Sequence, residues 1–187
     1  MKQHQCFRNA GFGYGISDEY LNQKTVYEGG IRKHRKRQNM IRNMTCEDYD
    51  QVNELWHCIK GFVLRSIDDS REGVERFIKR NPETCVVAVE DGRIVGSILC
   101  GHDGRKGCMY HVCVAPDYRR RGIGKAMVAF ALDKLRAEKI NDVSIIAFSK
   151  NDVGNIFWNK LGWEMQSNVN SYEIRLNKDN LRAENLG

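Results

Sequence analysis

The chain has 187 residues, 41% of them hydrophobic, and a formal net charge of +6; this is length for one domain with a proper core, not comfortably for two. No apolar run of about 18 residues occurs, which argues against a membrane span, and none follows the first basic residues, which argues against a signal peptide. Seven cysteines (Cys6, Cys46, Cys58, Cys85, Cys100, Cys108 and Cys113) form no Cys-x-x-Cys pair, so reduced thiols in a cytoplasm are expected rather than a disulfide framework or a bound metal.

The basic excess is local. Residues 1–39 hold eight Lys or Arg against three Asp or Glu, whereas 40–187 hold 22 against 21. The leader is polar and glycine-dotted, ends in a basic run from Ile31 to Asn39, and lacks periodicity. It reads as a flexible basic extension without a core of its own. Such a run can touch nucleic acid, but a solvated tail is the commoner meaning. The domain proper is expected over 40–187.

From Met40 the elements alternate. Met40 to Met44 reads as a short strand, and Thr45-Cys-Glu-Asp48 as a helix start with a capping oxygen and an acidic first turn. Tyr49, Val52, Leu55, Trp56 and Ile59 then recur at helical spacing. Ser70 opens a second helix bearing Val74, Phe77 and Ile78, closed by Asn81-Pro82. Cys85–Val89 and Arg93–Cys100 are strands around Asp91-Gly92, a hairpin signal. A polar turn, Gly101 to Gly107, leads into the strand Cys108–Val114.

Here the sequence becomes most specific. Pro116 stops the strand because it has no N–H to donate, and Gly122 and Gly124 let the backbone turn tightly and approach a ligand closely. The run from Lys125 to Leu132 is rich in helix formers, so a helix begins near Gly124 with unpaired N–H groups facing the loop. Arg119, Arg120 and Arg121 stand beside them. A strand, a basic glycine loop and a helix N-terminus in that order suit a pyrophosphate. The P-loop spacing is absent, as is the third glycine of a dinucleotide fingerprint. Beyond the helix, Val143–Phe148 reads as a strand, Gly154–Lys160 as a helix, and Trp163–Ser167 with Tyr172–Leu176 as a closing strand pair.

The pattern Arg119-x-x-Gly122-x-Gly124 after Val112-x-Val114-x-Pro116 resembles the acetyl-CoA loop of the GNAT N-acetyltransferases. A second segment, Asn151-Asp-Val-Gly-Asn155-Ile-Phe-Trp158-Asn-Lys-Leu-Gly162-Trp163, is similar to that family's late motif, and the resemblance covers Met40 to about Leu176. It implies an α/β (α+β) fold with a mixed, mostly antiparallel central sheet flanked by helices, and an N-acetyltransferase using acetyl-CoA as co-substrate. The acceptor would be a primary amine: a small molecule, an amino acid or a protein N-terminus. Direct attack in a ternary complex is the implied route. A non-catalytic acyl-CoA sensor is the alternative. The implied cofactor-binding set is Val112, Cys113 and Val114 by their backbone groups, Arg119, Arg120, Arg121, Gly122, Ile123, Gly124 and Lys125 in the loop, and Asn151, Asn155 and Trp158 in the late motif. The partners are the amine and a second copy as homodimer; neither membrane nor nucleic acid is favoured.

The proton steps depart from the family pattern. Relatives commonly place a tyrosine acid where this chain has Trp158, whose indole cannot supply a proton near neutral pH. Packing is the favoured role for Trp158. Tyr110 and Tyr172 are the substitute candidates by segment. Some relatives use a glutamate on the strand before the late helix, but Ser144 to Phe148 offers no carboxylate. An imidazole suits proton transfer near neutral pH, which makes His111 the candidate base. A packed strand histidine is the plainer reading. Strict alternation would turn His111 away from Tyr110. His102 and Asp103 could border the acceptor pocket or simply form a turn. A covalent role for Cys113 is discounted because no base partners it.

Overall fold

The computed structural model describes residues 40–185; the basic extension expected over 1–39 lies outside them. Seven strands and four helices follow in the order β1 (Met40–Asn43), α1 (Tyr49–His57), β2 (Phe62–Arg65), α2 (Arg71–Arg80), β3 (Val86–Glu90), β4 (Arg93–His102), β5 (Lys106–Val114), α3 (Ile123–Ala137), β6 (Asp142–Ile145), α4 (Asp152–Lys160) and β7 (Arg182–Asn185). The main sheet runs β1-β3-β4-β5-β6. It is antiparallel except between β5 and β6, which are parallel.

Local signals set most boundaries. The Ser70 side chain accepts the Gly73 N–H and caps α2, and Thr45 with Asp48 forms a capping box ahead of α1. Arg42 grips the same Asp48 through two nitrogens, each at 2.7 Å. Burial alone would push the Asp48 carboxyl up, but the Arg42 guanidinium and the Thr45 N–H outweigh it and hold it below its ordinary value. The β3–β4 turn has positive φ at both Asp91 (51°) and Gly92 (76°), the geometry whose twist matches a hairpin.

The sheet separates two apolar layers. One joins it to α1 and α2 through Val52, Leu55, Trp56, Val74 and Ile78. The other joins it to α3 and α4 through Met127, Val128, Ala131, Leu135 and Trp158. Alternation along β3 sends Val87 to the first layer and Val86 and Ala88 to the second. No helix among the described residues is long and apolar enough to cross a membrane.

Three expectations need correction. The closing strand pair over 163–167 and 172–176 does not form; these residues are irregular and, apart from Trp163, which packs on the second layer, outward-facing, with Met165 86% and Leu176 92% exposed. Instead the chain returns as β7 to β2, a strand that the sequence reading missed, in a separate antiparallel pair. Apolar alternation reports a face, not a ladder partner. The link before β7 is fixed by side chains: Asn180 Oδ1 accepts the N–H groups of Ile67 and Asp68 at 3.0 and 3.3 Å, and Ser66 Oγ–H donates to the Asp179 carbonyl at 2.9 Å. The strand expected to Phe148 ends at Ile145, where β6 leaves β5. Finally, Cys46, Cys85, Cys100, Cys108 and Cys113 are free thiols, but Cys58 is disulfide-bonded.

Candidate active site

The site begins where two parallel strands part. β5 pairs with β6 only from Lys106 to Met109, opposite Asp142 to Ile145. β5 then runs on beside β4 alone, so its far edge from Tyr110 to Val114 is open. The Ala115 N–H bonds the Val95 carbonyl at 2.8 Å. By ladder alternation the polar groups of Cys113 therefore face β4, while those of Val112 and Val114 face the opening. Of the three residues expected to offer backbone groups, Val112 and Val114 face the open edge and Cys113 faces β4. The Cys113 side chain is also committed, with Sγ 3.4 Å from Ser97 Oγ, and burial pushes the thiol up to about 11.

Below the open edge lies the basic loop. Gly122 (φ 82°) and Arg120 (φ 60°) both adopt the left-handed region, where Gly122 is at ease and Arg120 is not. The first helical bond of α3 runs from the Ala126 N–H to the Gly122 carbonyl at 3.0 Å. The N–H groups of Ile123, Gly124 and Lys125 thus have no helical partner. The Ile123 side chain points away and is buried. The three arginines divide. Arg119 Nε–H donates to the Val114 carbonyl at 3.0 Å. Arg121 pairs with buried Glu90 at 3.4 Å, donates to the Asp117 carbonyl at 2.8 Å, and covers the Tyr118 ring at 4.9 Å. Arg120 and Lys125 are exposed and make no ion pair among the described residues, leaving their charge available. Gly124 has a packing role, since a Cβ there would stand 3.2 Å from the Phe157 ring.

The late motif is chiefly structural. Asn151 caps α4, its Oδ1 accepting the Gly154 N–H at 3.0 Å. Asn155 Nδ2–H donates to the carbonyls of Phe148 and Ser149 at 3.0 and 3.2 Å, which ties down the loop leaving β6. Trp158 is buried against Phe157 and Trp163, with ring centroids 5.0 and 4.8 Å away.

On the other face of the sheet, strand alternation breaks. The register passes from Leu99↔Tyr110 to Ser97↔Cys113, so Ile98 faces two residues, His111 and Val112. His111 takes the bulge with φ 48°, a conformation costing a non-glycine residue roughly 1–3 kcal/mol. The bulge sends Tyr110 and His111 to the same side, contrary to strict alternation: Tyr110 meets Phe77 edge-on at 6.0 Å, and His111 lies 4.5 Å from the Trp56 ring and 5.3 Å from Phe62. His111 Nε2 is 2.6 Å from Asp69 Oδ1, with both side chains about nine-tenths buried. Asp69 was not foreseen. Its only signal was position, in an Asp-Asp-Ser run that reads as a helix cap. Burial, with the Cys108 thiol beside it, pushes the Tyr110 hydroxyl up to about 12.

Other candidates lie apart from this cluster. Tyr172 is 89% exposed on the irregular segment after α4. Asp103 Oδ1 accepts the N–H groups of Arg105 and Lys106 at 2.8 and 2.7 Å, and His102 Nδ1 accepts that of Gly104 at 3.2 Å. Both residues are occupied in closing their own turn.

Comparison with known proteins agrees with this geometry. The acetyltransferase (GNAT) family profile matches residues 49–163. An acetyltransferase of Sodalis glossinidius is 34% identical over 139 residues, covering 74% of this chain and 96% of its own. One of Yersinia pestis is 35% identical over 130 residues, covering 69% and 90%. Among solved structures, the PaiA N-acetyltransferase of Thermoplasma acidophilum in complex with coenzyme A superposes with a TM-score of 0.62 at 17% identity, over 71% of this chain and 93% of its own. The aminoglycoside N-acetyltransferase AAC(6')-Iy in complex with CoA gives 0.59 at 17%, over 76% and 98%.

Proposed function

The chain belongs to the GNAT acetyltransferase family, and from that membership we propose that it transfers the acetyl group of acetyl-CoA to a primary amine by direct attack in a ternary complex. The observation that carries the reading is the parting of β5 from β6, whose open edge ends at Val114 against the first turn of α3. The residues there fit the donor. The open-edge groups of Val112 and Val114 suit an amide-bearing arm, and the unpaired N–H groups of Ile123, Gly124 and Lys125, with Arg120 and Lys125, suit a pyrophosphate. When bound, acetyl-CoA supplies an acyl carbon activated as a thioester.

The remaining work falls to the chain's own side chains. The Val112 N–H is the donor placed for charge developing on the acyl oxygen, an interaction typically worth about 2.7–4 kcal/mol. His111 accepts the amine proton. Burial pushes the Tyr110 hydroxyl up to about 12 and keeps it protonated, so it serves as a hydrogen-bond donor at the site. The leaving thiolate, whose conjugate acid has an ordinary value of about 8.5, takes its proton from solvent. Trp158 supports the fold of the donor side.

Amine-dependent thiol release from acetyl-CoA across primary amines, amino acids and peptide N-termini tests this reading. Release with at least one amine class is the expected result. Tight acetyl-CoA binding without release on any amine would instead favour a sensor, for which the tryptophan at position 158 is the motivating observation.

A further inference from the structure

Resting on the reading of His111 as the base, we infer that Asp69 is its positioning residue, holding the imidazole as the Nε2–H tautomer so that Nδ1 is the proton-accepting atom. An ionised carboxylate can only accept, so at 2.6 Å the ring nitrogen facing Asp69 Oδ1 must carry the hydrogen. Nδ1 adjoins the ring carbon that bears Cβ, so it lies at the β5 end of the ring. No hydrogen bond from a described residue reaches it.

Asp69 is itself fixed on three sides. Its Oδ2 accepts the Arg65 N–H at 2.6 Å, its own N–H donates to the Arg65 carbonyl at 3.0 Å, and its carbonyl accepts the Tyr49 hydroxyl at 3.0 Å. The imidazole is held as firmly. Phe62 stacks on it at an interplanar angle of 30°, Trp56 tilts against it, and Ser97 Oγ–H donates to the His111 carbonyl at 3.4 Å. The other ionisable groups around this pocket are the Tyr49 and Tyr110 hydroxyls, the Cys113 thiol, and the Arg65 guanidinium, which is turned to Glu173 at 2.9 Å. Among the described residues, Asp69 is the charged group within hydrogen-bond reach of the ring. A carboxylate that fixes the tautomer and supports the transient imidazolium is the arrangement a histidine base requires.

The ring ¹⁵N shifts of His111, measured by NMR on the full chain, read the tautomer directly. Nε2–H is expected in the wild type, and Nδ1–H would overturn the inference without recourse to any variant. Asp69→Asn should lose this fixed tautomer and lower kcat by roughly 10²–10⁴-fold while KM for acetyl-CoA stays within about twofold; Asp69→Glu should recover part of kcat. A tautomer unchanged by Asp69→Asn would also overturn the inference. A lost tautomer with unchanged kcat would leave Asp69 as the residue that orients His111, and would instead remove His111 from the mechanism.

Discussion

The proposed donor and acceptor sides of the sheet are built on different principles. The donor side is nearly contiguous: Val112, Val114, Arg120, Gly122 and the first turn of α3 follow one another along a single strand, loop and helix. The acceptor side is assembled across the fold, joining His111 to Asp69, 42 residues earlier, with Trp56 from α1 and Phe62 from β2. A contiguous device works through backbone N–H groups and tolerates side-chain change. An assembled one depends on single side chains held within tenths of an ångström.

The difference can be broken experimentally, beginning with its largest effect. His111→Ala should lower kcat by about 10²–10⁴-fold and spare acetyl-CoA affinity, as read by steady-state kinetics beside calorimetric titration; lost affinity would merge the two sides. Gly122→Val should do the reverse. A Cβ there meets no described atom within 4 Å, but φ is +82°, so the helix start should distort and acetyl-CoA affinity fall at least tenfold while thermal unfolding remains cooperative. Retained affinity would place the pyrophosphate elsewhere. The double variant Arg120→Ala/Lys125→Ala should weaken acetyl-CoA binding by less, about threefold to tenfold, and flatten its salt dependence.

Smaller effects sharpen the picture. Tyr110→Phe should change kcat only a few-fold and leave its pH profile unaltered up to about pH 10, because the hydroxyl remains protonated until about 12; a lost high-pH limb would make Tyr110 the acid after all. Away from the site, Asp48 has a folded-state value below its unfolded one. Its stabilisation is therefore present above the unfolded value, about 3.9, and is lost as pH falls through the lower folded value. Asp48→Asn should cost roughly 1 kcal/mol in chemical denaturation at neutral pH, with the gap to wild type closing in strong acid.

The same contrast explains what could be read in the sequence. The α1 and α2 caps, the Asp91-Gly92 hairpin and the loop from Pro116 to Gly124 are local, and each residue type has a local reason to be there. The β2–β7 pair was hidden because its four-residue strands meet across more than a hundred positions. The bulge at His111 was hidden because it is a property of pairing with β4. Without it, alternation turns His111 from Tyr110, and Asp69 remains a residue before a helix cap. That Val112, Cys113 and Val114 offer backbone groups follows from the family resemblance, whereas which of them face the opening depends on the ladder phase fixed by Ala115 and Val95.

Thiol release from acetyl-CoA with an accepted amine, measured in wild type and His111→Ala alongside acetyl-CoA affinity in both, decides whether this is a transferase with His111 as its base. Amine-dependent release by the wild type, its near-complete loss in the variant, and equal affinities are the expected result. Tight binding in both with no amine-dependent release by the wild type would rule out transfer.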